Sequence, residues 1–308
     1  MKAHTLIILG LLTQGAPTRR SPTPQAHGPD RARRWLLAHE ESDGSFAPAR
    51  RERFRRGITA VCALALGKHG AAALRHLAAG GAEGRGTSAY GQVFATWSLC
   101  AGMTKDTRFA ARKAVNDLLA RQGEDGAWSD AISPHVVRAE TCLTALALLA
   151  LHAAKSAGID VPANAVTRGV QFLEARYLRG RRMFTADEQP TPSNTATALA
   201  TVALLRWGRG ASSTARGGLK TLTSMAPGGW TRVLSERTPI LGYRRDHGWL
   251  GLFGYSLALR ESDGGKAWQR VRARVGAALR TIQASDGSFD SAFGKPFATA
   301  MALLVLPR

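Results

Sequence analysis

Gln122-Gly123-Glu124-Asp125-Gly126-Ala127-Trp128 follows an apolar-periodic run ending at Leu118-Leu119-Ala120. The same spacing occurs in Leu36-Leu37-Ala38-His39-Glu40-Glu41-Ser42-Asp43-Gly44-Ser45-Phe46 and in Leu279-Arg280-Thr281-Ile282-Gln283-Ala284-Ser285-Asp286-Gly287-Ser288-Phe289. Each copy closes a helical pattern, then places Gln or Glu, two residues, Asp-Gly, one residue and an aromatic. The first leucines, Leu36, Leu118 and Leu279, are 82 and 161 residues apart, which corresponds to two and four copies of a helix-pair unit of roughly 40 residues. A worn copy keeps Gly228-Gly229-Trp230, and a fainter one surrounds Met183-Phe184. Asp-Gly supplies a turn whose glycine can take a positive φ and end a helix. The aromatic then adds a large buried area to the hairpin just completed.

Beyond each turn lies a second run rich in Ala, Thr, Leu and Gly: Gly57 to Ala65, Tyr90 to Ala101, His135 to Ala154, Ser193 to Leu205, His247 to Leu259 and Phe297 to Leu306. These are apolar on most faces, the pattern of helices buried on several sides. Ala110 to Arg121, Val166 to Arg176 and Trp268 to Ile282 carry charge on one side and fit an outer, solvated layer. Six inner runs imply six hairpins. An open solenoid of the TPR or HEAT kind also stacks helix pairs, but it does not require the Asp-Gly-x-aromatic turn, and the TPR Trp-x-x-Leu-Gly signature is missing.

The Gln-x-x-Asp-Gly-x-Trp pattern resembles the QW repeat of squalene-hopene cyclases and the related repeat of prenyltransferase β-subunits. The resemblance runs from about Arg31 to the C-terminus and extends to the single-toroid bacterial prenyltransferase and squalene-oxidase repeat proteins. It implies an all-α fold, an (α/α)6 toroid in which six hairpins close a double ring. The expected organisation is a signal peptide over 1–16, a Pro- and Arg-rich linker over 17–30, and the toroid over 31–308.

The chemistry that the resemblance implies is not carried by this sequence. Class II terpene cyclases hold their acid in Asp-x-Asp-Asp, where neighbouring carboxyls and burial keep a proton available; the stretch is absent. Asp187-Glu188 and Glu40-Glu41 read as solvated loop charge. Prenyltransferases bind zinc through Asp-x-Cys and a distant His, and Asp-x-Cys is absent too. His135, Glu140 and Cys142 are the nearest cluster, but on a helix Glu140 and Cys142 diverge by about 200°, so Glu140 reads as a surface carboxylate beside a core thiol. Neither a Cys-Gly-Glu-Gln thioester stretch nor a Gly-x-Ser-x-Gly elbow occurs, and Gly80 to Gly86 lacks the P-loop Lys-Ser/Thr. No metal and no cofactor are expected.

Placement supplies the candidates that remain. In a toroid of this type the starts of the inner helices ring one mouth of the central cavity. Tyr90, His135, Ser193, Asn194, Asp246 and His247 fall there, with Ser193 and Asn194 reading as helix caps. Asp246 beside His247 is the one acid–base pair that reads as a catalytic candidate. Arg50, Arg51, Arg53, Arg55 and Arg56 precede one inner run; Arg176, Arg179, Arg181 and Arg182 precede another; Arg244 and Arg245 precede a third. Sharing one rim, they would form an anion-binding collar; dispersed, they are solvated surface.

Composition bears on partners and compartment. Lys+Arg 42 against Asp+Glu 22 gives a net charge of +20, and only eight of the cations are Lys. Such a field attracts phosphates, acidic polysaccharide or anionic lipid, although an Arg-rich composition also follows from a GC-rich genome. Nucleic acid is not expected, because no aromatic-interleaved basic strand or recognition helix is present. Met1-Lys2-Ala3-His4 followed by Thr5 to Leu12 reads as a short secretory signal, too short to span a bilayer. Export is the expectation, with a cytoplasmic location as the alternative. Cys62, Cys100 and Cys142 read as buried structural thiols, with one disulfide open in an oxidising compartment.

Three functions fit: a non-catalytic toroid binding an anionic or hydrophobic ligand or a protein partner, a degenerate enzyme acting on an isoprenoid or anionic glycan, and a structural envelope protein with a filled cavity.

Overall fold

The computed structural model describes residues 28–46, 52–80, 88–133, 136–226 and 248–306, with Trp230 and Leu234. Six long helices follow the small-residue runs: α2 (Glu52–Leu66), α4 (Ala89–Ala101), α6 (Thr141–Ser156), α8 (Asn194–Arg206), α10 (Gly248–Glu261) and α12 (Lys295–Val305). Each packs on the next, and α12 packs back on α2, so they form a closed inner ring. Between them lie the outer helices α1 (Gly28–Ala38), α3 (Ala71–Ala78), α5 (Arg108–Leu119), α7 (Ala163–Ala175), α9 (Ser213–Ser224) and α11 (Lys266–Ile282). The inner ring is buried almost residue by residue: Thr141 to Leu151 on α6 and Thr195 to Leu204 on α8 are all buried. The outer helices bury one stripe, as Ala111, Ala114, Val115 and Leu118 do on α5.

The three turns read from the sequence have one geometry. Gly44, Gly126 and Gly287 have φ of +82°, +84° and +94°. The preceding aspartate accepts from the backbone two residues on, with Asp43 taking Ser45 N–H at 2.9 Å, Asp125 taking Ala127 N–H at 3.0 Å and Asp286 taking Ser288 N–H at 2.9 Å. These side-chain turns satisfy backbone donors where the helix has ended. Gln122 Nε2 donates at 2.9 Å to both Gly126 O and Ala165 O on α7, tying the turn to the next outer helix. Gln283 Nε2 repeats this on Gly287 O at 2.8 Å and Gly28 O at 3.0 Å. In the first copy Glu40 takes the glutamine's place. Its Oε1 is buried with no hydrogen-bond partner among the described residues, and burial holds its carboxyl above the ordinary value, opposed by the Ala73 backbone and Arg75.

The aromatic after each turn is buried and locked to the following inner helix by a threonine. The backbone N–H groups of Phe46, Trp128, Phe184 and Phe289 donate to the hydroxyls of Thr59, Thr144, Thr197 and Thr299 at 3.0, 3.0, 3.0 and 2.9 Å. Phe184 belongs to the fainter copy, which keeps this contact although its Asp-Gly has gone.

The last turn meets the first helix. Arg31 donates to Ser285 O, and Trp35 Nε1 donates to Asp286 Oδ2 at 3.2 Å. The Ser288 hydroxyl and backbone, with Lys295, hold the Asp286 carboxyl well below the usual carboxylate range. These contacts join α1 to the final hairpin and close the outer layer.

Short strands were not expected. β1 (Ser129–Ser133) and β2 (Val136–Ala139) form a hairpin with Ser129 opposite Ala139, so α6 begins at Thr141 rather than near His135. The pairing uses β-branched Val136 and Val137, which suit a strand better than a helix start. β3 (Tyr177–Leu178), β4 (Met183–Thr185) and β5 (Pro192–Ser193) pair antiparallel in that order and bring Phe184 to the base of α8.

Candidate site at the inner-helix mouth

The starts of α4, α6 and α8 are neighbours in the inner ring, and the side chains there form a polar cluster among the described residues. Ser88 caps α4, accepting from Gly91 N–H at 3.1 Å, and leaves Tyr90 in the first turn. Tyr90 Oη donates to Glu140 Oε2 at 2.7 Å. Glu140 is the N-cap residue of α6 but makes no side-chain cap bond, so its carboxylate is free to face Tyr90. Thr141 N–H donates to Ala186 O at 3.0 Å, drawing the loop that carries Asp187 against the same helix start. Asp130 Oδ1 accepts from Ala89 N–H at 3.1 Å and completes the cluster.

Burial dominates the electrostatics. It raises the Glu140 carboxyl above the ordinary value; the Tyr90 hydroxyl partly opposes this, and the Asp130 and Asp187 charges add to it. The Tyr90 phenol is pushed well up, first by burial and then by Glu140. Burial thus works against the charged form of both partners.

Deeper in the ring the axis is crossed by aromatic rings. α4 and α10 stand opposite each other, three places apart either way round. Even so, Trp97 and Phe253 meet with ring centroids 5.7 Å apart. Phe94 stacks beside Trp97 at 6.4 Å, and all three are buried. Below them Arg206 lies 5.7 Å over the Trp97 ring and donates to Glu261 Oε1 at 2.7 Å. The mouth is thus floored by aromatic side chains about two helical turns below Tyr90.

The other expected residues take different positions. Ser193 caps α8, accepting from Ala196 N–H at 3.1 Å, while Asn194 is the first helical residue rather than a cap. Arg56 is buried at 4% exposure within the first turns of α2, with Arg55 partly buried beside it. Arg181 and Arg182 are exposed on the turn between β3 and β4, where Arg182 O accepts from Thr221 on the outer helix α9 at 2.8 Å. These two arginine groups occupy different surroundings, one buried in the inner ring and one exposed beside the outer layer. His135, Arg244, Arg245, Asp246 and His247 lie outside the described residues, as do Arg50 and Arg51.

Glu140 and Asp187 correct the sequence reading. Neither is simply solvated surface charge: Glu140 is hydrogen-bonded and its carboxyl raised by burial, with Asp187 close enough to add to that shift. The available signal was ring order, since Tyr90 and Glu140 begin successive inner helices. Cys62, Cys100 and Cys142 are buried and not joined in a disulfide; burial pushes Cys100 up to about 12. Among the described residues, no three His, Cys, Asp or Glu side chains converge as a metal site, and no helix is long and apolar enough to cross a membrane.

No protein-family profile matches the chain, and no curated protein does. Solved structures do. An inactive variant of an α-1,6-mannanase of Salegentibacter sp., in complex with α-1,6-mannotriose, aligns with TM-score 0.64 at 7% identity over 90% of this chain and 96% of that one. A protein from Actinoplanes aligns with TM-score 0.57 at 16% identity, over 90% and 96% of the two chains. The type II terpene cyclase MstE from Scytonema, without ligand, gives TM-score 0.56 at 16% identity over the same shares. The mannanase and the cyclase are both α/α toroids, and with its inner ring closed and its outer layer joined end to end this chain has that fold.

Proposed function

We propose that the chain is an exported, non-catalytic toroid that binds a hydroxyl-rich ligand at the inner-helix mouth. One observation carries the reading: the Tyr90–Glu140 pair, 2.7 Å apart with Asp130 and Asp187 around it, stands above a floor made by Trp97 and Phe253. A phenol and three carboxyl groups suit hydroxyl ligands, and the buried aromatic layer beneath them closes the axis. The crossed axis disfavours a deep apolar chamber for a folded polyprene, and the missing Asp-x-Asp-Asp removes the acid such chemistry needs. Export rests on the N-terminal sequence alone.

A second reading is favoured by the same carboxyls. Glycoside hydrolysis uses two carboxyl groups, one with a raised pKa serving as acid. Glu140 has the raised value and Asp130 the proximity, and one toroid of similar fold is a mannanase.

Native mass spectrometry of the purified protein, with chemical identification of what is released, separates the readings. The binding reading expects a stoichiometric polyol or glycan that is lost in Glu140→Ala and retained unaltered by the wild type. Turnover of α-1,6-mannotriose that vanishes in Glu140→Gln would establish the second reading instead, and a stoichiometric polyprenoid would overturn both. The pH profile gives an independent check on Glu140. A carboxyl with a raised folded-state pKa contributes stability that is complete below about 4.5 and is lost as pH rises through the folded value. Thermal melts of Glu140→Gln should therefore lack that loss.

A further inference from the structure

A cavity of about 250 Å3 opens at the outer seam where α11 meets the start of α1. Leu279, Phe289 and Leu306 form its apolar wall, and all three are buried. Arg272, Gly276 and Arg280 line it from α11 at four-residue spacing, which sets them in one stripe along the helix. Gly276 supplies the space between the two cations: a Cβ there would meet only Arg280 Nη1, at 3.5 Å.

The two arginines are exposed and engage no carboxylate among the described residues, unlike Arg33, Arg206, Arg209 and Arg270, which pair with Asp30, Glu261, Glu174 and Asp263. Gln283, also at the cavity, has its amide donor committed to Gly28 O and Gly287 O. The site therefore offers buried apolar surface together with two guanidiniums whose planar forks match a carboxylate. Its volume falls below the roughly 300–1,000 Å3 of pockets for drug-sized ligands. That size suits a small ligand better than a nucleotide or a long polyprenyl chain.

We propose that this seam cavity binds a small amphiphilic carboxylate, its apolar body against Leu279, Phe289 and Leu306 and its charged end at Arg280 and Arg272. An inorganic anion would leave the apolar wall unused, and a neutral alcohol would leave both cations unused. Because the cavity lies where the last hairpin joins the first, occupancy stabilises ring closure by mass action.

Octanoate is the probe, measured on the full chain by calorimetry and thermal unfolding, with octanol and inorganic phosphate as comparisons. Saturable octanoate binding that raises the melting temperature is expected, with neither comparison reproducing it. Arg272→Ala combined with Arg280→Ala should weaken binding at least tenfold. Both side chains are exposed and pair with no carboxylate among the described residues, so the fold is retained. Gly276→Ala adds a methyl to the cavity at a helical position that favours alanine; it should weaken octanoate several-fold while leaving the unliganded melting temperature unchanged or higher. Glu140→Ala should leave octanoate affinity unchanged, which separates this site from the mouth. Absence of saturable octanoate binding, equal binding of octanol or phosphate, or an affinity indifferent to both the arginine and the glycine changes would overturn the proposal.

Discussion

Gly126→Ala is expected to lower the unfolding free energy by about 2–5 kcal/mol, the sum of a left-handed backbone penalty of ~1–2 kcal/mol and an overpacking penalty of ~1–3 kcal/mol. Both arise at one atom. Gly126 has φ +84°, and a Cβ there would stand 2.4 Å from Arg168 O on α7. The neighbouring backbone cannot yield without moving an outer helix. Gly158→Ala is the internal control, because Gly158 has φ +74° but nothing within 4 Å of the added carbon. It should lose only the backbone share, about 1 kcal/mol. Urea midpoints at equal slope measure the difference. Equal losses at the two positions would mean that the turn does not press on α7.

Trp128→Ala carries the other large effect, a loss of about 3–5 kcal/mol. The side chain is 2% exposed, and its Nε1 donates to Leu118 O at 2.8 Å, so truncation leaves a cavity and removes that hydrogen bond. Trp128→Phe should be much milder, roughly 1–2 kcal/mol, because Phe46 and Phe289 already fill the corresponding place in sister turns. Thermal unfolding of the two variants decides between ring packing and a role specific to tryptophan. A shift for Trp128→Ala no greater than that for Trp128→Phe would contradict the packing account.

The turn was legible because it depends on residue types with few substitutes. Glycine takes the positive φ, aspartate closes the side-chain turn, and an aromatic supplies area. The threonines that hold those aromatics were not legible. Thr59, Thr144 and Thr299 stand at three different distances from Phe46, Trp128 and Phe289, because the intervening loops differ in length. The aromatic floor escaped for a related reason: α4 and α10 are apolar on nearly every face, so periodicity does not show that Trp97 and Phe253 point to the axis. The start of α6 was misplaced because Val136 and Val137 extend the apolar run while forming a strand. Glu140 was read with Cys142 along one helix, whereas its partner, Tyr90, comes from the adjacent helix of the ring.

Ring closure underlies the mouth, the aromatic floor and the seam cavity alike, and one distance tests it. Arg34→Cys and Ser285→Cys place spin labels at exposed positions on α1 and on the last turn, while the three native thiols are buried. Pulsed dipolar spectroscopy should give a single narrow distance under about 20 Å, because the contacts of Arg31 and Trp35 with Ser285 and Asp286 hold these segments together. An open stack of six hairpins, spaced at about 9 Å per packed helix, would separate the labels by roughly 50 Å. A dominant distance in that longer range would contradict the closed toroid.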